Sequence, residues 1–73
     1  LIICGLLTDQ CVESAVRDAC DLGYLVTVPQ DACATMTQER HDQSLSMYSG
    51  YCRIVETDQV VDEIAALSRQ AAD

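Results

Sequence analysis

Gly5-Leu6-Leu7-Thr8-Asp9-Gln10-Cys11-Val12 is where the unbroken apolar run Leu1-Ile2-Ile3-Cys4 gives way to residues spaced for a helix. A short apolar run ended by a glycine reads as a buried strand, expected over residues 1–4. Downstream, Val12, Ala15, Val16, Ala19 and Leu22 recur at three- and four-residue steps, which predicts a helix over residues 11–22 with one apolar stripe. Glu13 and Arg17 are placed for an i,i+4 ion pair on its polar face. Thr8 or Asp9 is expected to cap its start, and Gly23 to end it in the left-handed conformation.

Two further β-like runs follow, over residues 24–28, closed by Pro29, and over residues 52–55. Between them, Thr35 and Gln38 form a candidate capping box for a helix on which His41, Leu45 and Tyr48 share a face before Gly50. A third helix is expected after a Thr57 cap, turning Val60, Val61, Ile64, Ala65 and Leu67 toward a core. The order β-α-β-α-β-α, with every crossover long enough for a helix, predicts an α/β fold with parallel strands. The expected architecture is a Rossmann-like, three-layer α/β/α domain. Three strands and three helices make about half of one, because a parallel sheet is covered on both faces. Since Leu1 begins inside a strand-like run, the chain reads as a fragment.

The formal charge is -8, from twelve acidic residues against four arginines and no lysine. That balance argues against phosphate-rich nucleic acid or an anionic membrane as partner. No apolar run reaches the roughly 18 residues of a membrane span, and residues 1–7 lack a signal peptide's basic flank and cleavage site. Cys4, Cys11, Cys20, Cys33 and Cys52 admit a disulfide scaffold or reduced thiols. The odd number, the absence of any CxxC pair and the apolar neighbours of Cys4, Cys20 and Cys52 favour reduced thiols and a cytoplasmic setting. One histidine and no close cysteine pair match none of the usual zinc spacings, and no cofactor or metal is assigned.

Ligands of open α/β sheets bind beyond the carboxyl ends of the strands, where the turn after the first strand carries Cys11. In the first turn of a helix, free N–H groups and the positive end of the helix dipole favour a thiolate over a thiol. The same donors can hold the oxyanion of a tetrahedral intermediate. The competing reading is an inert cysteine buried at a helix start, and residue chemistry alone does not separate the two.

The wider sequence does. CGLLTDQCVESAVRDACDLGY, then VPQDACAT, then ERHDQSL resembles the cysteine hydrolases of the isochorismatase-like family. Shared features are a Gly-x-x-Thr-x-x-Cys-Val turn, a helix ending near Gly-Tyr, a strand leading to Asp-Ala, and a helix with His and Leu. The likeness extends to the Thr57-Asp58-Gln59-Val60 helix start. It implies that residues 1–73 are the C-terminal part of a single hydrolase domain of this family. Further, it implies that Cys11 is the nucleophile, that the N–H groups of Leu7 and Cys11 form the oxyanion hole, and that the Leu6-Leu7 peptide is cis. The family's thiol works with an Asp and a Lys from earlier strands. This chain has no Lys, so the triad is incomplete here whatever role Asp9 or Asp31 takes.

The expected activity is hydrolysis of a C–N bond in a small amide or ureido substrate through a thioester. The Cys-Val-Glu-Ser-x-x-Arg-Asp stretch is most similar to ureidoacrylate amidohydrolases, with nicotinamidases next. Vinyl-ether cleavage, which needs no thiol, is disfavoured by Cys11. Self-association into a homo-oligomer is also implied by the resemblance. The alternative function is a non-catalytic α/β assembly module in which Cys11 is vestigial or redox-responsive.

Other residues carry two readings each. His41 could pair with Cys11 as a dyad, but a structural or capping role is favoured. Asp31 lies on the functional edge, and an Asx turn or helix cap explains it equally well. Arg17 reads as an ion-pair partner, and Thr8 as support for the turn. Tyr48, Tyr51 and Arg53 could line a partner subunit's surface, with ordinary packing as the default reading.

Overall fold

The computed structural model describes residues 1–72. Its elements are β1 (Gly5–Leu6), a π-type turn (Thr8–Val12), α1 (Glu13–Asp21), β2 (Thr27–Pro29), a 3-10 turn (Gln30–Ala32), β3 (Cys33–Ala34), α2 (Gln38–Tyr48), β4 (Arg53–Val55) and α3 (Thr57–Ala72). All pairing is parallel. β1 aligns Gly5 with Cys33 and Leu6 with Ala34, while β2 aligns Thr27, Val28 and Pro29 with Arg53, Ile54 and Val55. A parallel bridge from Ile2 to Thr27, with Thr27 N–H donating to Leu1 C=O at 2.9 Å, joins the two pairs. Residues 27–34 thus run between residues 1–6 and β4, bulging through the 3-10 turn. The fold is α/β with parallel strands, as the alternating pattern predicts.

Strand limits differ from the expected ones for local reasons. Of the expected first strand, residues 1–4, only Ile2 bridges a neighbour, and the strand itself lies at Gly5–Leu6, where glycine at φ 120 leads into the turn. The second strand starts at Thr27 rather than Tyr24. Gly23, at φ 91, donates to Cys20 C=O and Tyr24 donates to Ala19 C=O, both at 3.0 Å. This is a Schellman closure, which spends the Tyr24 N–H on the helix end. β4 begins at Arg53 rather than residue 52. The two-residue β3 is too short for periodicity to reveal.

Helical winding begins at Thr8, not at Cys11. Leu7 C=O accepts from Gln10 N–H at 3.0 Å and from Val12 N–H at 3.1 Å, which makes a wide turn ahead of α1. Neither Thr8 nor Asp9 caps it, because both side chains bond elsewhere. On α2 the cap is Thr37 rather than Thr35, with Thr37 Oγ1 accepting from Arg40 N–H at 3.1 Å. Thr57 is the first residue of α3 rather than its cap. Its N–H and its hydroxyl both donate to Asp31 Oδ1 at 2.7 Å.

Val12, Val16 and Ala19 pack with Val26, Val28, Leu45 and Tyr48 into one core, so α1 and α2 share a cluster with β2. Ala15 and Leu22, expected on the buried stripe, are exposed, and so are Val61, Ile64 and Leu67 of α3. Among the described residues of that helix, Val60 alone is buried. Apolar spacing states which residues share a face, and contact with a second element decides whether the face is covered.

Candidate functional site

The turn between β1 and α1 lies at the carboxyl end of a parallel strand, where such sheets bind ligands. Cys11 sits in the winding that opens the first helix, and its free thiol is exposed. Leu6 is exposed and Leu7 half-buried, and the peptide bond between them is cis. Thr8 is the contrast, with no exposed surface at all. Its Oγ1 lies 2.8 Å from His41 Nδ1, and its carbonyl accepts from the Tyr48 hydroxyl at 3.2 Å. Next to it, Asp9 accepts from the Thr35 hydroxyl at 2.5 Å and lies 3.7 Å from Arg40 Nε.

Every one of these partners comes from Thr35 or from α2. Residues far apart in sequence therefore hold the cysteine turn through its side chains and one of its carbonyls. Sequence reasoning placed His41 and Tyr48 on one helical face, but it did not show that this face meets Thr8. Among the described residues, no hydrogen bond joins Cys11 to His41, whose Nδ1 is engaged by Thr8. The dyad reading of His41 thus has no contact to rest on.

An open cleft of about 420 Å³ is bordered by Gln30, Asp31, Thr35, Gln38, His41 and Glu56, and no residue of the Thr8–Val12 turn lines it. Its polar groups largely satisfy one another. Gln30 Nε2 donates to Glu56 at 2.5 Å, and Gln38 Nε2 to Asp42 at 2.9 Å. Asp31 caps α3, and the Thr57 hydroxyl, with the Thr57 N–H behind it, holds its carboxyl below the usual range. The helix-cap reading of Asp31 is the one the geometry supports. Among the described residues, no three His, Cys, Asp or Glu side chains come together as a metal site would need.

The remaining candidates have structural partners. Arg17 pairs with Glu13 at 3.2 Å and stacks over Tyr51, 5.2 Å from the ring centre. Arg53 pairs with Glu63 at 2.7 Å. Tyr48 is wholly buried, in keeping with the ordinary packing expected of it. The five cysteines differ in kind, although all are free. Burial pushes the Cys33 and Cys52 thiols up, and Cys20 Sγ donates to Tyr51 C=O at 2.6 Å, whereas Cys4 and Cys11 are exposed. No helix among the described residues is long and apolar enough to cross a membrane.

Comparison with known proteins agrees with this layout. A family model described as the isochorismatase domain matches residues 1–71. An uncharacterized isochorismatase family protein of Bacillus subtilis (strain 168), YddQ, is 40% identical over 43 residues, which are 59% of this chain and 24% of that protein. Nicotinamidase 3 of Arabidopsis thaliana is 31% identical over 61 residues, 82% of this chain and 31% of that protein. The crystal structure of an isochorismatase-like hydrolase from Alkaliphilus metalliredigens matches with a TM-score of 0.81 at 29% identity, over 85% of this chain and 35% of that one. The chain therefore spans well under half the length of the relatives it matches. A family match over nearly every residue, together with a shared α/β fold, leads to one conclusion: this chain belongs to the isochorismatase family.

Proposed function

We propose that this chain is the C-terminal part of a single isochorismatase-like hydrolase domain that cleaves C–N bonds in small amide or ureido substrates, with Cys11 as nucleophile. The observation that carries the reading is an exposed, free thiol in the opening turn of a helix, at the carboxyl end of a parallel strand. The presence of a nicotinamidase among the similar proteins supports amide hydrolysis. In the proposed reaction the Cys11 thiolate attacks the carbonyl carbon and forms a C–S bond. The tetrahedral intermediate then collapses with loss of ammonia or an amine, which takes up a proton. Water attacks the thioester, releasing the acid and returning the thiol. The N–H groups of Leu7 and Cys11 are assigned to the developing oxyanion.

The acid–base partner and a lysine are assigned to the rest of the protein, because this chain contains no lysine. A cytoplasmic setting suits five free thiols. A homo-oligomer is also proposed, and size-exclusion chromatography with light scattering would reveal a monomer if that is wrong.

Alkylation tests the central claim. Iodoacetamide at neutral pH should modify Cys11 of the complete protein ahead of Cys33 and Cys52, whose burial favours the neutral thiol. Ammonia release from a panel of amides and ureas should stop in step with that modification. Equal, slow modification of all five thiols, with no amide turned over, would favour a non-catalytic module.

A further inference from the structure

Thr8 is gripped at two atoms by side chains two turns apart on one face of α2. His41 Nδ1 meets its hydroxyl at 2.8 Å, and the Tyr48 hydroxyl meets its carbonyl at 3.2 Å. No part of Thr8 reaches solvent, so water cannot replace either partner at low cost. Thr8 follows Leu7, whose carbonyl in turn accepts the N–H groups of Gln10 and Val12 on either side of Cys11. The position of Thr8 thus sets where the Cys11 turn begins. Asp9 is tied to Thr35 and Arg40, so the whole start of the turn rests on the segment from Thr35 to Tyr48. His41 has a ring geometry that only some side chains reproduce, because the contact is through Nδ1, the nitrogen nearer the backbone.

We propose that His41 is a positioning residue for the Cys11 nucleophile, acting through the Thr8 hydroxyl and not by proton exchange with the thiol. The proposal rests on the reading of Cys11 as the nucleophile. It distinguishes a histidine that sets the nucleophile's aim from one that merely fills space in the fold.

The test uses the full-length protein, with ammonia release from an amide panel and the second-order rate of Cys11 alkylation as separate readouts. His41→Leu and Thr8→Val should each lower kcat by about tenfold or more, as expected when a reacting group loses its alignment. KM should change far less, since substrate binding is not what the bond supports. Alkylation of Cys11 should change in both variants, while circular dichroism shows them folded. His41→Asn, whose amide reaches the place of Nδ1, should restore kcat, and His41→Gln, whose amide reaches the place of Nε2, should not. Because both changes remove one bond, the Thr8→Val/His41→Leu double variant should fall no further than the worse single variant.

Wild-type kcat and alkylation rate in folded His41→Leu would overturn the proposal. If His41→Leu fails to fold, equal rates for the Asn and Gln variants would overturn it instead. Cys11→Ser separates the two claims. Full activity in that variant sinks the nucleophile itself, whereas lost activity there beside an unimpaired His41→Leu sinks only the positioning role.

Discussion

The Tyr48 hydroxyl donates to the Thr8 carbonyl at 3.2 Å, linking the last residue of α2 to the turn that carries Cys11. Both residues are fully buried, and burial holds the phenol far above its ordinary titration range, so it remains a neutral donor. Tyr48→Phe keeps the ring packing and leaves a buried carbonyl without this partner. We expect a loss of about 1–3 kcal/mol in urea unfolding of the complete protein. An unchanged midpoint would show that the bond contributes nothing.

Asp31 links the end of β2 to the start of α3, and its bonds from Thr57 produce a pH dependence of known sign. A carboxyl with a lowered folded-state pKa gives up its proton more readily in the folded than in the unfolded protein. Its contribution is therefore complete above the unfolded value and is lost as pH falls through the lower folded value, a window that opens below about pH 4. Thermal unfolding of the wild type should lose stability across that window. Asp31→Asn should show a shallower slope there, and identical slopes would contradict the assignment.

Gly23 stands at φ 91 with nothing within 4 Å of where a Cβ would lie. A substitution there meets no clash, so its whole cost is backbone conformation. Gly23→Ala should destabilise by about 1–2 kcal/mol, and Gly23→Asn by less, because Asn adopts the left-handed region more readily. Equal unfolding midpoints for all three proteins would show that the Schellman closure does not need glycine.

Val16 lies at the centre of the shared core, with no exposed surface. Val16→Ala removes two buried carbon groups and leaves a cavity in that cluster. The expected cost is about 2–3 kcal/mol by chemical denaturation. A loss under about 0.5 kcal/mol, the level of a surface change, would mean the core closes around the gap.

Much of this molecule is legible in its sequence. The alternation of β-like and helical runs identified a parallel α/β chain, because a strand period and a helix period cannot be confused over the length of α1. The Glu13–Arg17 pair and the left-handed Gly23 were readable for the same reason, since both depend on neighbours within one turn. Boundaries were less so. Tyr24 looks like strand from its side chain and is taken into the helix end by a backbone bond. Thr37 and Thr35 are equally good caps by residue type, and only Thr37 is in place to accept from Arg40.

By itself, the sequence determined that a strand, a turn and a helix surround Cys11, because local periodicity suffices for that, while the roles assigned to Cys11 and Leu7 rest on the family resemblance. Only the tertiary structure decided that His41 and Tyr48 grip Thr8, that Asp31 belongs to α3, and that Leu22, Val61, Ile64 and Leu67 lie exposed. The physical reason is range. Those outcomes depend on which elements meet across tens of residues of chain, and residue spacing carries no distance between separate elements.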